Sequence, residues 1–144
     1  MIKKGCFGAI LIFIALSCGN SNTLVSAKQS DDCMQRLIAI DDSLGKIRNR
    51  QCMELSLSET IQKYAEAMKT IETQHCPNEL VVAYRSHREA WEAMLEVTDN
   101  YPNLRGEMHV LFKELEQSND QVLFKKRLDA IWSTWADVEK FAPK

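Results

Sequence analysis

From Cys33 onward, apolar residues return every three or four positions, and polar residues fill the gaps between them. Leu37, Ile40, Leu44 and Ile47 share one helical face, so the spacing predicts a first helix from Cys33 to about Arg50. Gly45 weakens its second half by about 1 kcal/mol relative to alanine. Ser56-Leu57-Ser58-Glu59 reads as a capping box opening a second helix. Its inner face carries Ile61, Tyr64 or Ala65, Met68 and Ile71, and Cys76-Pro77 should end it, because a residue before proline disfavours the helical region.

A third helix is predicted over 79–98, with Leu80, Tyr84, His87, Trp91 and Met94 or Leu95 along its stripe. Asn100-Tyr101-Pro102-Asn103 is a turn by composition. Leu104, Met108, Leu111 and Leu115 mark a short fourth helix. Ser118-Asn119-Asp120-Gln121 resembles a second capping box, opening a fifth helix with Phe124, Leu128, Ile131, Trp135 and Val138 on one face. No stretch alternates with the period of a half-buried strand, so the expected fold class is all-α, a compact antiparallel bundle of four to five helices over residues 31–144.

The segment ahead of this domain has a different pattern. Lys3 and Lys4 precede an uncharged apolar run, Phe7 to Leu16, too short for the roughly 20 residues of a membrane span. That is the anatomy of an export signal. Its ending, Ala15-Leu16-Ser17-Cys18, resembles the lipobox of bacterial lipoproteins. The resemblance implies a signal peptide over 1–17 and a mature chain that begins at a lipidated Cys18. It also implies localisation in the cell envelope, anchored to a membrane and facing the periplasm or the cell surface. Residues 18–30 then form the lipidated end and a small, polar, flexible tether. A rival cut after Val25-Ser26-Ala27 would release a soluble chain beginning at Lys28.

Charge narrows the choice of partner. The chain carries −2, and losing Lys3 and Lys4 with the signal shifts this to −4. Without a basic stripe it is a poor candidate for nucleic acid, whose affinity rests on lysine and arginine against phosphate. The cluster Lys125-Lys126-Arg127 reads as a solvated helix face.

Export also changes how the cysteines are read. Cys33, Cys52 and Cys76 remain in a compartment where disulfides persist. Two antiparallel helices of similar length bring Cys33 and Cys76 to the same end, predicting a disulfide between them. Cys52, at the opposite turn, is left free or pairs between molecules.

Candidate chemistry is sparse. Glu72 and His75 form one E-x-x-H, an arrangement that places a carboxylate and an imidazole on one helix face, whereas di-iron bundles need two such motifs. They are weak metal candidates. Haem through His87 and His109 is disfavoured by an axial offset of roughly 10 Å, and no cofactor is expected. There is no G-x-S-x-G, no H-E-x-x-H and no phosphate loop, and five glycines leave little material for a loop-built active site. A non-enzymatic role follows.

The mixed face of Tyr84, His87, Arg88 and Trp91, with Arg105, His109 and Phe112 beyond the turn, admits two readings. It lines an interaction groove with an arginine fork for a partner, or Trp91 and Phe112 are core and the arginines turn outward to Glu89 or Glu92. The expected function is a membrane-tethered, non-catalytic binding module for a protein or another envelope component. The alternatives are a small-molecule, haem or metal-binding bundle, or a secreted inhibitor-type protein.

Overall fold

The computed structural model of the chain describes residues 21–142, and side chains from residue 31. The export signal and Cys18 lie outside the described residues. The described residues fold as a helical bundle without strands: α1 (Ser21–Gln51), α2 (Leu57–Lys69), α3 (Asn78–Ala93), α4 (Leu95–Thr98), α5 (Met108–Leu115) and α6 (Gln121–Glu139). No described helix is long and apolar enough to cross a membrane.

The first helix starts twelve residues ahead of Cys33, at Ser21, so residues 21–30 are helical where their composition predicts a flexible tether. No glycine or proline lies between Gly19 and Gly45 to stop it. The second helix stops early, at Lys69 rather than Cys76. Thr70 turns its hydroxyl onto the Ala67 carbonyl at 2.8 Å, and Ile71 and Thr73 extend a β-branched run that favours extended backbone over helix. At its start the Ser56 cap forms, accepting the Glu59 N–H at 3.1 Å, while the Glu59 carboxylate pairs with Lys63.

The predicted fourth helix is α5, which begins at Met108, after Leu104, because Glu107 caps it by accepting the Val110 N–H. Before α6 the predicted box does not form. Ser118 instead closes α5 on the Leu115 carbonyl and accepts the Asp120 N–H, which leaves Asp120 at the cap position.

α1 packs on α2, α2 on α3, and α3 on α6. The core between them is Met34 and Leu37 from α1, Leu57, Ile61 and Met68 from α2, and Leu80 and Met94 from the third helix and its end. Phe124, Ile131 and Val138 of α6 complete it. The Cys33–Cys76 disulfide is present, with the Cα atoms 5.5 Å apart, and ties α1 to the segment leading into α3. Cys52 is free and fully buried, so it offers no thiol to a second molecule in the folded state. Burial pushes its pKa up.

The loop after α4 is pinned to the α1–α2 turn by two backbone bonds, Leu57 N–H to Leu104 O at 2.7 Å and Gly106 N–H to Cys52 O at 2.8 Å. Gly106 adopts φ +143°, which a side chain would strain. This loop holds α5 near the C-terminal half of α1.

Candidate functional site

Between α1 and α6 the bundle is open. The opening is a cleft of about 320 Å³, walled by Asp41, Gly45 and Arg48 of α1, by Met108 and Phe112 of α5, and by Leu128, Trp132 and Trp135 of α6. Tyr64, His87 and Trp91 form its floor, so all three tryptophans of the chain line it.

The polar groups of this cleft come from α1, on the same face as its core residues. Met34, Leu37, Asp41, Leu44 and Arg48 follow alternating spacings of three and four, one residue out of step with the predicted Ile40 and Ile47. Ile47 is accordingly 39% exposed.

Asp41 accepts two hydrogen bonds on a single oxygen, from the Tyr64 hydroxyl at 3.0 Å and the Tyr84 hydroxyl at 2.9 Å. It thereby joins α1, α2 and α3 and provides the acceptor that buried tyrosyl hydroxyls require. Burial, followed by the Asp41 charge, holds both tyrosines well above the usual phenol range, so they stay protonated donors.

Arg48 places its guanidinium in the corner between two rings, 4.6 Å from the Tyr64 centroid and 4.4 Å from that of Trp91. The two rings meet edge to face at 85°. Its Nε and Nη2 both donate to the Asn49 side-chain oxygen at 3.3 Å. Burial lowers its pKa, opposed by the charges around it, and it remains a cation at neutral pH.

His87 is buried and committed at both ring nitrogens. Nε2 accepts the Trp91 indole N–H at 3.2 Å, which makes Nδ1 the donor to Thr134 Oγ1 at 3.1 Å. Thr134 in turn donates to the Ala130 carbonyl at 2.8 Å. Desolvation lowers the His87 pKa, so the imidazole is neutral. No lone pair is left for an iron.

The residues of the predicted interaction face are placed apart, with His87 and Trp91 at the cleft floor and Arg88, Arg105 and His109 outside the cleft. Tyr84, His87 and Trp91 are core, and Arg88 reaches Glu92 at 3.7 Å and Glu89 at 3.6 Å, which is the second reading of that sequence. Lys69 adds a further bond to Glu92 at 3.0 Å. Arg88 and Tyr84 border a separate depression of about 130 Å³ on α3, with Met68 and Lys69. Arg105 lies exposed in the loop before α5, and His109 is exposed and pairs with Glu107. Glu72 and His75 fall outside any helix, and His75 sits at φ 68°, so the i, i+3 helical geometry of a metal pair is lost. Among the described residues no three histidine, cysteine, aspartate or glutamate side chains cluster as metal ligands do.

Asp41 and Arg48 are absent from the sequence-based candidates. The signal that marks them is the continuation of the Met34 and Leu37 stripe through polar positions. No protein-family model, curated protein or solved structure matches the chain.

Proposed function

We propose that this protein is a non-catalytic binding domain of the bacterial cell envelope, anchored by lipid on Cys18, that holds its ligand in the cleft between α1, α5 and α6. The observation that carries the reading is the composition of that cleft. A concave surface of aromatic and aliphatic side chains is bordered on α1 by polar and charged groups, a mixture found in small-ligand sites.

A binding role suits these groups better than catalysis. Asp41 is held by two tyrosines and His87 by Trp91 and Thr134, so neither is free to move a proton. The lipobox-like Ala15-Leu16-Ser17-Cys18 supports the anchor. More than one acyl chain gives a stable hold on a bilayer.

Native mass spectrometry of the chain extracted from its host membrane tests the reading. The expected species begins at Cys18, carries acyl mass and retains a non-covalent small ligand. Gly45→Leu, which projects a side chain into the cleft, should lose that ligand and keep the acyl mass. A lipid-free chain beginning at Lys28 would overturn the anchor. A ligand retained by Gly45→Leu would overturn the site.

A second reading has one observation in its favour. Trp132 is 63% exposed at the cleft lip, a placement that suits an inhibitor-type contact with a partner protein. In that case Trp132→Ala would abolish partner capture while small molecules still entered the cleft.

A further inference from the structure

Arg48 has no salt-bridge partner, although the Asp41 carboxylate attracts it from further off. Arg88 and Arg127 both reach glutamates, Glu92 and Glu96. Arg48 is half-buried as they are, and among the described residues no carboxylate comes within the 4.0 Å of a salt bridge to it. The Asn49 oxygen takes two of its donor nitrogens at a long 3.3 Å, and two aromatic rings pack against the guanidinium. A partly desolvated charge gains from a partner, and a guanidinium presents a planar fork that matches a carboxylate through two parallel bonds.

The charges around the cleft set the valence of the missing partner. Lys46 is taken by Asp42 at 2.6 Å, and Asp41 accepts two neutral hydroxyls while attracting Arg48 from beyond salt-bridge range. Asp41, Asp42, Lys46 and Arg48 sum to zero, so a single negative charge is the least that an anion on the Arg48 fork adds. A dianion would bring a second charge against Asp41 and Asp42, at a further Coulombic cost. The remaining walls, Phe112, Leu128, Trp132 and Trp135, are flat or apolar. A volume of about 320 Å³ is at the small end of ligand pockets, which run from roughly 300 to 1,000 Å³.

We infer that the cleft takes a monoanionic carboxylate with a flat apolar body, the carboxylate on the Arg48 fork and the body between α5 and α6. The inference rests on the reading of the cleft as the ligand site and assigns the chemistry that fills it.

Two probes of the same shape and different charge separate the two ideas: 2-naphthylacetate and its neutral isostere 2-naphthylacetamide, titrated calorimetrically into the detergent-solubilised full chain. The acid should bind at least about tenfold more tightly than the amide. Added salt should weaken the acid and leave the amide unchanged. Arg48→Met, checked for its helical spectrum, should bring the acid to the level of the amide. If that variant does not fold, Arg48→Lys should show an intermediate preference, since an ammonium keeps the charge and loses the fork. Equal binding of acid and amide, both lost in Gly45→Leu, would overturn the carboxylate and leave the cleft as the site. Tighter binding of 2-naphthyl phosphate than of the acid would overturn the single charge. Binding of neither naphthyl probe would overturn both the carboxylate and the cleft.

Discussion

The two halves of α1 present one face to the bundle and use it in opposite ways. Around Cys33, Met34 and Leu37 the face is apolar, fully covered and tied to the segment before α3 by a disulfide. Around Asp41, Gly45 and Arg48 the same face is polar, uncovered by α6 and open to the cleft. The first half fixes the helix, and the second can therefore carry groups that would destabilise an unsupported one. A half-buried carboxylate and guanidinium in place of leucines reduce the apolar area available to the fold. That loss is concentrated where the proposed ligand sits.

The largest effect should come from the closed half. Replacing Cys33 and Cys76 by serine opens a loop with a sequence separation of 43 residues. Chain entropy puts the loss at about 4 kcal/mol, read as a lower urea midpoint, with the aromatic fluorescence of the folded cleft retained.

Next comes the polar half. Asp41→Ala leaves two buried tyrosyl hydroxyls without their acceptor and should destabilise by about 3 kcal/mol. Asp41→Asn keeps an oxygen in place and should lose about 1 kcal/mol. In Tyr64→Phe/Tyr84→Phe the Asp41→Ala penalty should largely vanish, and a double-mutant cycle measures that coupling.

Acid should act through His87. Its folded pKa lies below the unfolded value of about 6.5, so between those two values the unfolded chain binds more protons. Stability therefore falls as pH drops below about 6.5, and the decline from this group ends once the folded pKa is passed. His87→Gln should flatten that part of the profile in urea titrations at successive pH values.

Two smaller changes sharpen the contrast. A Cβ on Gly45 would meet Arg48 Nη2 at an ordinary 3.8 Å, so Gly45→Ala should stabilise α1 by about 1 kcal/mol. Trp132→Ala, at an exposed position, should change stability by less than about 0.5 kcal/mol.

The same division decided what the sequence revealed. The faces of α2, α3 and α6 are legible because apolar side chains mark them, and Tyr64, Trp91, Phe124 and Ile131 lie inside as their period requires. The disulfide follows from hairpin geometry. On α1 the apolar count selects Ile40 and Ile47, one position from the true inward residues, because Asp41 and Arg48 look like solvent positions until Tyr64, Tyr84 and Trp91 are placed against them. The mixed face of α3 misleads in the opposite sense. Its polar atoms are satisfied internally, by Asp41 for Tyr84 and by Thr134 for His87, so they mark core and not surface.

The tryptophans offer the most direct test, since Trp91, Trp132 and Trp135 all border the cleft and the chain has no others. In ¹⁵N-labelled protein, titration with 2-naphthylacetate should move the three indole N–H resonances together with the Arg48 Nε–H signal. Amides around the disulfide at Cys33 and Cys76 should stay in place. Shifts centred on the Arg88 depression, or on the disulfide end with the indoles unmoved, would contradict the assignment of the cleft.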